Sequence, residues 1–135
     1  MAVNYSAAVK TNRLANVNDA VNSKTYVAGS GAGSAGTLVI GTSALSGATG
    51  VLATIPLNNP AATVSGSVLT IAGVPLSATA TGSGTAALAE LRNNAGTVIV
   101  SGLTVGTSGT DVIITAVAIS AGQTVQLNSG TITHA

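Results

Sequence analysis

Between Leu91 and Leu127 the chain alternates β-branched apolar clusters with glycine-centred breaks, and few folds tolerate that pattern. Val98-Ile99-Val100, Val112-Ile113-Ile114 and Val117 to Ile119 are separated by Ala95-Gly96, Gly106 to Gly109 and Ala121-Gly122. Branched Cβ atoms pack well on a pleated surface, whereas glycine supplies the positive φ of tight turns. Each cluster is too short for a helix and of the right length for a strand. The stretch therefore predicts strand, turn, strand, and a chain that ends as a β-meander.

The same punctuation extends upstream. Strands are predicted at 37–40, 51–57, 62–65, 67–72 and 74–80, with turns around Gly41 to Gly50, Asn58-Asn59-Pro60, Gly66 and Gly73. Val74, Leu76, Ala78 and Ala80 alternate with Pro75, Ser77, Thr79 and Thr81, which gives one apolar and one hydroxyl face. Pro75 donates no hydrogen bond, so this strand is expected to begin there or to lie at a sheet edge. Residues 85–92 can form a short helical turn, which their Ala and Leu favour, or a strand, which puts Glu90 and Arg92 on one face; the strand is the preferred reading. One or two short strands are expected in the tail, around Asn128 to Gly130. Many short strands without a fixed-period repeat predict a mainly β fold, an antiparallel β-sandwich or jelly-roll-like domain over 37–135.

Only residues 6–23 read as a helix. Ala7, Leu14, Val17 and Val21 recur at helical spacing, and Ser6 is a suitable N-cap. At about 100° per residue, Lys10 falls inside the apolar stripe, with Arg13 and Lys24 along its edge. Two arrangements follow. The helix can lie on the sheet with its long basic side chains running out to solvent. Alternatively, residues 1–36 form an arm whose Leu14, Val17 and Val21 face, rimmed by Lys10, Arg13 and Lys24, docks on an acidic partner. Lys10, Arg13, Asp19 and Lys24 are four of the seven formal charges of the chain, which favours an interaction role for this segment. Ala28 to Gly36 has the composition of a Gly/Ser linker. Its Gly31, Gly33 and Gly36 match G-x-G-x-x-G formally, but a strand follows instead of a helix and no acid occurs before Glu90, so the nucleotide-binding reading fails.

Composition narrows the function. Charged residues make up 5% of the chain, against a typical value of about 25%, while 46% of residues are hydrophobic. Such a chain buries a small-aliphatic core; a disordered chain lacks the apolar side chains to do so. With no cysteine, disulfides and thiolate metal sites are excluded. Asp19, Glu90 and Asp111 are the only acids and fall in three different settings, while the single His134 adjoins the C-terminus. No catalytic pair or triad can be assembled from them, so neither enzyme activity nor a cofactor is expected. Four basic residues and two tyrosines do not make a nucleic-acid surface. Every apolar run is interrupted well short of the ~20 residues of a membrane span. The N-terminal stretch lacks a secretory h-region, so synthesis in a cytoplasm is expected. Edges and surfaces with so little charge are expected to be covered by copies of the chain, as a dimer or trimer, or by a larger assembly; the alternative is a Thr, Ser and Asn surface that stays soluble by neutral hydrogen bonding.

The C-terminal third carries Gly96-Thr97-Val98, Gly102 to Asp111, Ile119-Ser120-Ala121-Gly122-Gln123-Thr124-Val125 and the ending Thr131-Ile132-Thr133. In these residues it resembles small β-rich structural proteins of tailed bacteriophages and their prophages. The resemblance implies a virion structural protein on the capsid exterior, acting as cement or decoration over junctions of the major capsid protein. It brings no catalytic residues with it. Neck, tail-tube or fibre components share the same features. A non-viral adhesive or carbohydrate-binding module is a further alternative, although the aromatic platforms for sugars are missing.

Overall fold

The computed structural model describes residues 6–21, 35–58 and 61–133. Helix α1 (Ala7–Val21) comes first. It is followed by β1 (Thr37–Ser46), β2 (Thr49–Pro56), β3 (Ala62–Ser65), β4 (Val68–Ile71) and β5 (Leu76–Thr79). The remaining strands are β6 (Gly84–Thr85), β7 (Leu88–Arg92), β8 (Val98–Gly106), β9 (Val112–Ile114), β10 (Ala118–Ile119) and β11 (Thr124–Thr133). The fold is mainly β with one N-terminal helix. The Asn59-Pro60 turn, most of the Gly/Ser segment, the Asp19 side chain, Lys24 and His134 lie outside the described residues.

One sheet of nine strands carries the fold, eight of them in the order β2-β1-β7-β8-β9-β11-β4-β3 and the ninth, β5, paired with β11 off that path. Strand β11 organises it. One of its edges pairs with β9; the other pairs with β5 through Thr124 to Leu127 and with β4 through Thr131 to Thr133. Beyond β5 the chain turns back to β2, where the Thr81 and Gly82 amides donate to the Leu52 carbonyl at 2.8 and 3.2 Å. The sheet thus curls until its two halves enclose a common core, in a sandwich-like arrangement. Leu38, Ile40, Leu52 and Ile55 from one half and Ile114 and Leu127 from the other are fully buried in that core. Burying such a side chain contributes roughly 1.5 to 3 kcal/mol, so a core of small aliphatics suffices here without aromatics.

Three expectations about the strands are corrected. Strand β1 runs on through Gly41 to Ser46, because the extra residues form a bulge that opposes Gly41 to Val51 and Ser46 to Thr49. The tail is one ten-residue strand, kinked by a register shift between Leu127 and Ser129. The meander fails at β8 and β9, which are parallel, with Val105 opposite Val112. Parallel neighbours ordinarily need a crossover of about a dozen residues. Here residues 107–111 suffice, because the loop is tied to the strand it leaves. Asp111 Oδ2 accepts from the Thr104 amide and hydroxyl, both at 3.1 Å, and the Asp111 amide donates to Thr104 Oγ1 at 3.1 Å. Gly109 takes a φ of 70°, which closes the loop.

Other expectations hold. Residues 88–92 form a strand, and Pro75 immediately precedes β5. Ser6 caps the helix, its Oγ accepting from the Val9 amide at 3.3 Å.

Candidate interaction surfaces

Helix α1 is seated on the chain's own sheet. Leu14, 3% exposed, packs with Ala62 and Leu69, and half-buried Val17, Val64 and Ile132 surround them. Val21, 1% exposed, belongs to the main core. Its end of the helix lies close against the start of β1: a Cβ built on Gly36 would come within 2.6 Å of the Val21 carbonyl oxygen. The apolar stripe expected to meet a partner therefore faces inward. A helix whose stripe matches an apolar sheet face gains more from that burial than from solvent. Of the six residues predicted as an interface, Leu14 and Val21 are internal and Val17 is half-buried. Lys10 is half-buried and Arg13 exposed, while Lys24 is outside the described residues.

The helix also makes polar contacts that the apolar spacing did not reveal. Asn18 Nδ2 donates to the Ala62 carbonyl at 3.0 Å, and the Thr11 hydroxyl donates to the Gly66 carbonyl. A signal was available, since Thr11, Leu14 and Asn18 are spaced by three and four and share a helix face.

The described acids of the β region are engaged within the chain. Glu90 is 7% exposed and accepts from Arg92 Nη2 at 2.8 Å and Nε at 3.1 Å. Arg92 Nη2 also donates to the Gly47 carbonyl at 2.6 Å, which fixes the β1–β2 turn to β7. Glu90 lies opposite Val39, itself 1% exposed, so this outer patch of the sheet is covered. Asp111 is engaged by Thr104.

What faces outward instead is a set of uncharged rows. Thr63, Thr70 and Thr131 stand in register across β3, β4 and β11. Thr79 opposes Thr124, and Ser77 opposes Gln126. Gln126 donates to Asn128 at 2.8 Å, and Asn128 to the Thr115 hydroxyl at 3.4 Å. The alternation in Thr124-Val125-Gln126-Leu127-Asn128 carried this face in the sequence. Among the described residues there is no pocket, no cluster of three potential metal ligands, and no helix long and apolar enough to cross a membrane. No family model, curated protein or solved structure matches this chain.

Proposed function

We propose that this protein is a virion structural protein, a capsid cement or decoration protein that sits over junctions between major capsid subunits and stabilises the shell. The observation that carries the reading is the outward β surface, which offers rows of Thr, Ser, Gln and Asn and almost no charge. Charged residues are depleted from the centres of protein interfaces because stripping their water is costly, whereas hydroxyl and amide groups exchange water for protein partners at little net cost. A surface of this kind suits contact with other proteins on several sides. The likeness of Gly96 to Thr133 to phage structural proteins directs that general role to a virion. Weak contacts repeated by many copies on an icosahedral shell then gain strength through avidity.

Contact with the shell is assigned to the β surface and to exposed Arg13, since the Leu14 and Val21 face is occupied. A neck, tail-tube or fibre component is the second reading, supported by the same surface. The two differ in placement on the particle. Purified protein is mixed with candidate phage particles stripped of minor proteins and imaged at moderate resolution. Density repeating at two-fold or three-fold junctions of the shell is the expected result. Density only along the tail or portal axis selects the second reading, and no binding to any particle refutes both.

A further inference from the structure

We propose that the outer edge of β3 is a self-association surface that α1 holds in reserve, and that its partner is a second copy of this chain, whose own β3 pairs with it antiparallel. Among the described residues, stretches of sheet edge without a strand neighbour lie at β2, β3, β5 and the first half of β8, and all but β3 are obstructed. At β5, the Ala80 amide donates to the Gln123 carbonyl, which turns residues 75, 77 and 79 to the unpaired side, where Pro75 has no N–H. At β2, Pro56 has no N–H, and the Leu52 carbonyl is occupied by Thr81 and Gly82. The first half of β8 is broken by two register shifts against β7, and Gly102 has a φ of 73°, so its edge is twisted and irregular. Strand β3 has none of these defences. Its register from Ala62–Ile71 to Ser65–Val68 is unbroken, and its sequence, Ala-Thr-Val-Ser, contains neither proline nor charge.

Main-chain parity shows which groups the edge presents. The Ala72 amide donates to the Ala61 carbonyl at 2.9 Å, which makes residues 61, 63 and 65 the ones bonded to β4. Ala62 and Val64 then direct their amides and carbonyls away from the sheet. Helix α1 stands over this edge. Asn18 occupies the Ala62 carbonyl, Thr11 occupies Gly66 at the adjoining turn, and Leu14 covers the apolar side of Ala62. An uncharged, regular edge is a template for another strand, and among the described residues the helix is what shields it.

A second copy fits because the edge is complementary to itself. Two β3 strands related by a two-fold axis exchange hydrogen bonds between Ala62 of one and Val64 of the other, with the two Thr63 side chains directly opposite. Pairing requires release of α1, which withdraws Leu14 and Val21 from their buried seats. This inference concerns the purified protein and stands apart from the virion reading, so either can fail without the other.

The test uses the full chain and sedimentation equilibrium. Leu14→Asp puts a charge where α1 is seated and is expected to strengthen self-association at least about tenfold. Adding Thr63→Lys, which places two ammonium groups face to face, is expected to return the variant to monomer. Should Leu14→Asp fail to fold, Thr11→Ala/Asn18→Ala removes the two polar caps and leaves the apolar seat intact. It is expected to associate more tightly than the parent, with the Val64 amide exchanging more slowly as concentration rises. The proposal is overturned if the folded helix-release variant associates no more strongly than the parent. It is equally overturned if association survives Thr63→Lys, because the contact then lies elsewhere.

Discussion

Replacing Arg92 with alanine gives the sharpest test of how this fold handles its few charges. Glu90 is nearly sealed from water, its side chain only 9% exposed, and Arg92 supplies both hydrogen bonds to its Oε2 atom. Removing one partner of a buried pair leaves the other as an uncompensated charge, at a cost of about 3 to 5 kcal/mol. Arg92→Ala also frees the Gly47 carbonyl, but that group sits at an exposed turn where water replaces the lost donor. Nearly all of the loss is therefore ascribed to stranded Glu90. Chemical denaturation read as the change in midpoint at constant slope measures it. A loss of this size is a large fraction of the roughly 5 to 15 kcal/mol that stabilises a typical domain. The double variant Glu90→Leu/Arg92→Met removes both charges and keeps apolar volume beside Val39; it is expected to lie within about 1 kcal/mol of the parent. The reasoning is refuted if Arg92→Ala costs less than about 1 kcal/mol. It is also refuted if the double variant is as unstable as Arg92→Ala, since the loss would then come from the arginine's packing and not from the stranded carboxylate.

Three further perturbations probe other parts of the fold. Leu127→Ala empties a fully buried position on the central strand and is expected to cost about 2 to 5 kcal/mol in equilibrium unfolding. Asp111→Ala removes the acceptor for two Thr104 donors; a loss of about 1 to 3 kcal/mol is expected, with faster amide exchange confined to residues 104–112, and Asp111→Asn is expected to retain most of the stability because its amide oxygen still accepts. Gly36→Ala drives a methyl group against the Arg92 carbonyl first and the Val21 carbonyl next, so both the β1–β7 pairing at Thr37 and Arg92 and the end of α1 are expected to lose protection from amide exchange.

Local grammar was the legible part of this sequence. The mainly β class, the helix and its Ser6 cap, and the strands at β3, β4 and β7 follow from side-chain branching, glycine spacing and alternation. All of these are properties of a few neighbouring residues. What was hidden depends on partners distant in sequence. The parallel pairing of β8 and β9 rests on Asp111 reaching Thr104, a contact that spacing alone does not distinguish from an ordinary turn. Similarly, the stripe of Leu14, Val17 and Val21 states that the helix has an apolar face. It does not state whether Ala62 and Leu69 or another molecule covers that face. Glu90 and Arg92 share one side of a strand by their spacing, but the contacts that engage them there, Val39 opposite Glu90 and the Gly47 carbonyl bonded to Arg92, come from β1 and its turn, distant in sequence. The polar side of the candidate surface was legible as alternation along β11; its extension across β3 and β4 required the register.

The scarcity of charge and the form of the edges belong to one physical problem. A soluble β protein usually protects its edges with lysine or glutamate, whose hydration opposes the approach of another strand. In this chain Glu90 and Arg92 pair with each other, and Asp111 ties a loop, so these groups are not placed to guard an edge. The protection present is geometric: Pro56 at one margin, bulges along β8, and a helix over β3. Geometric protection differs from charge in two respects. Screening by salt does not weaken it, whereas exposed charges lose their reach beyond about 8 Å at physiological ionic strength. A helix can also be displaced by a competing contact, while a lysine built into the strand is permanent. In this fold the displaceable kind of protection is the one placed over β3, where Asn18 and Thr11 of α1 occupy the Ala62 and Gly66 carbonyls.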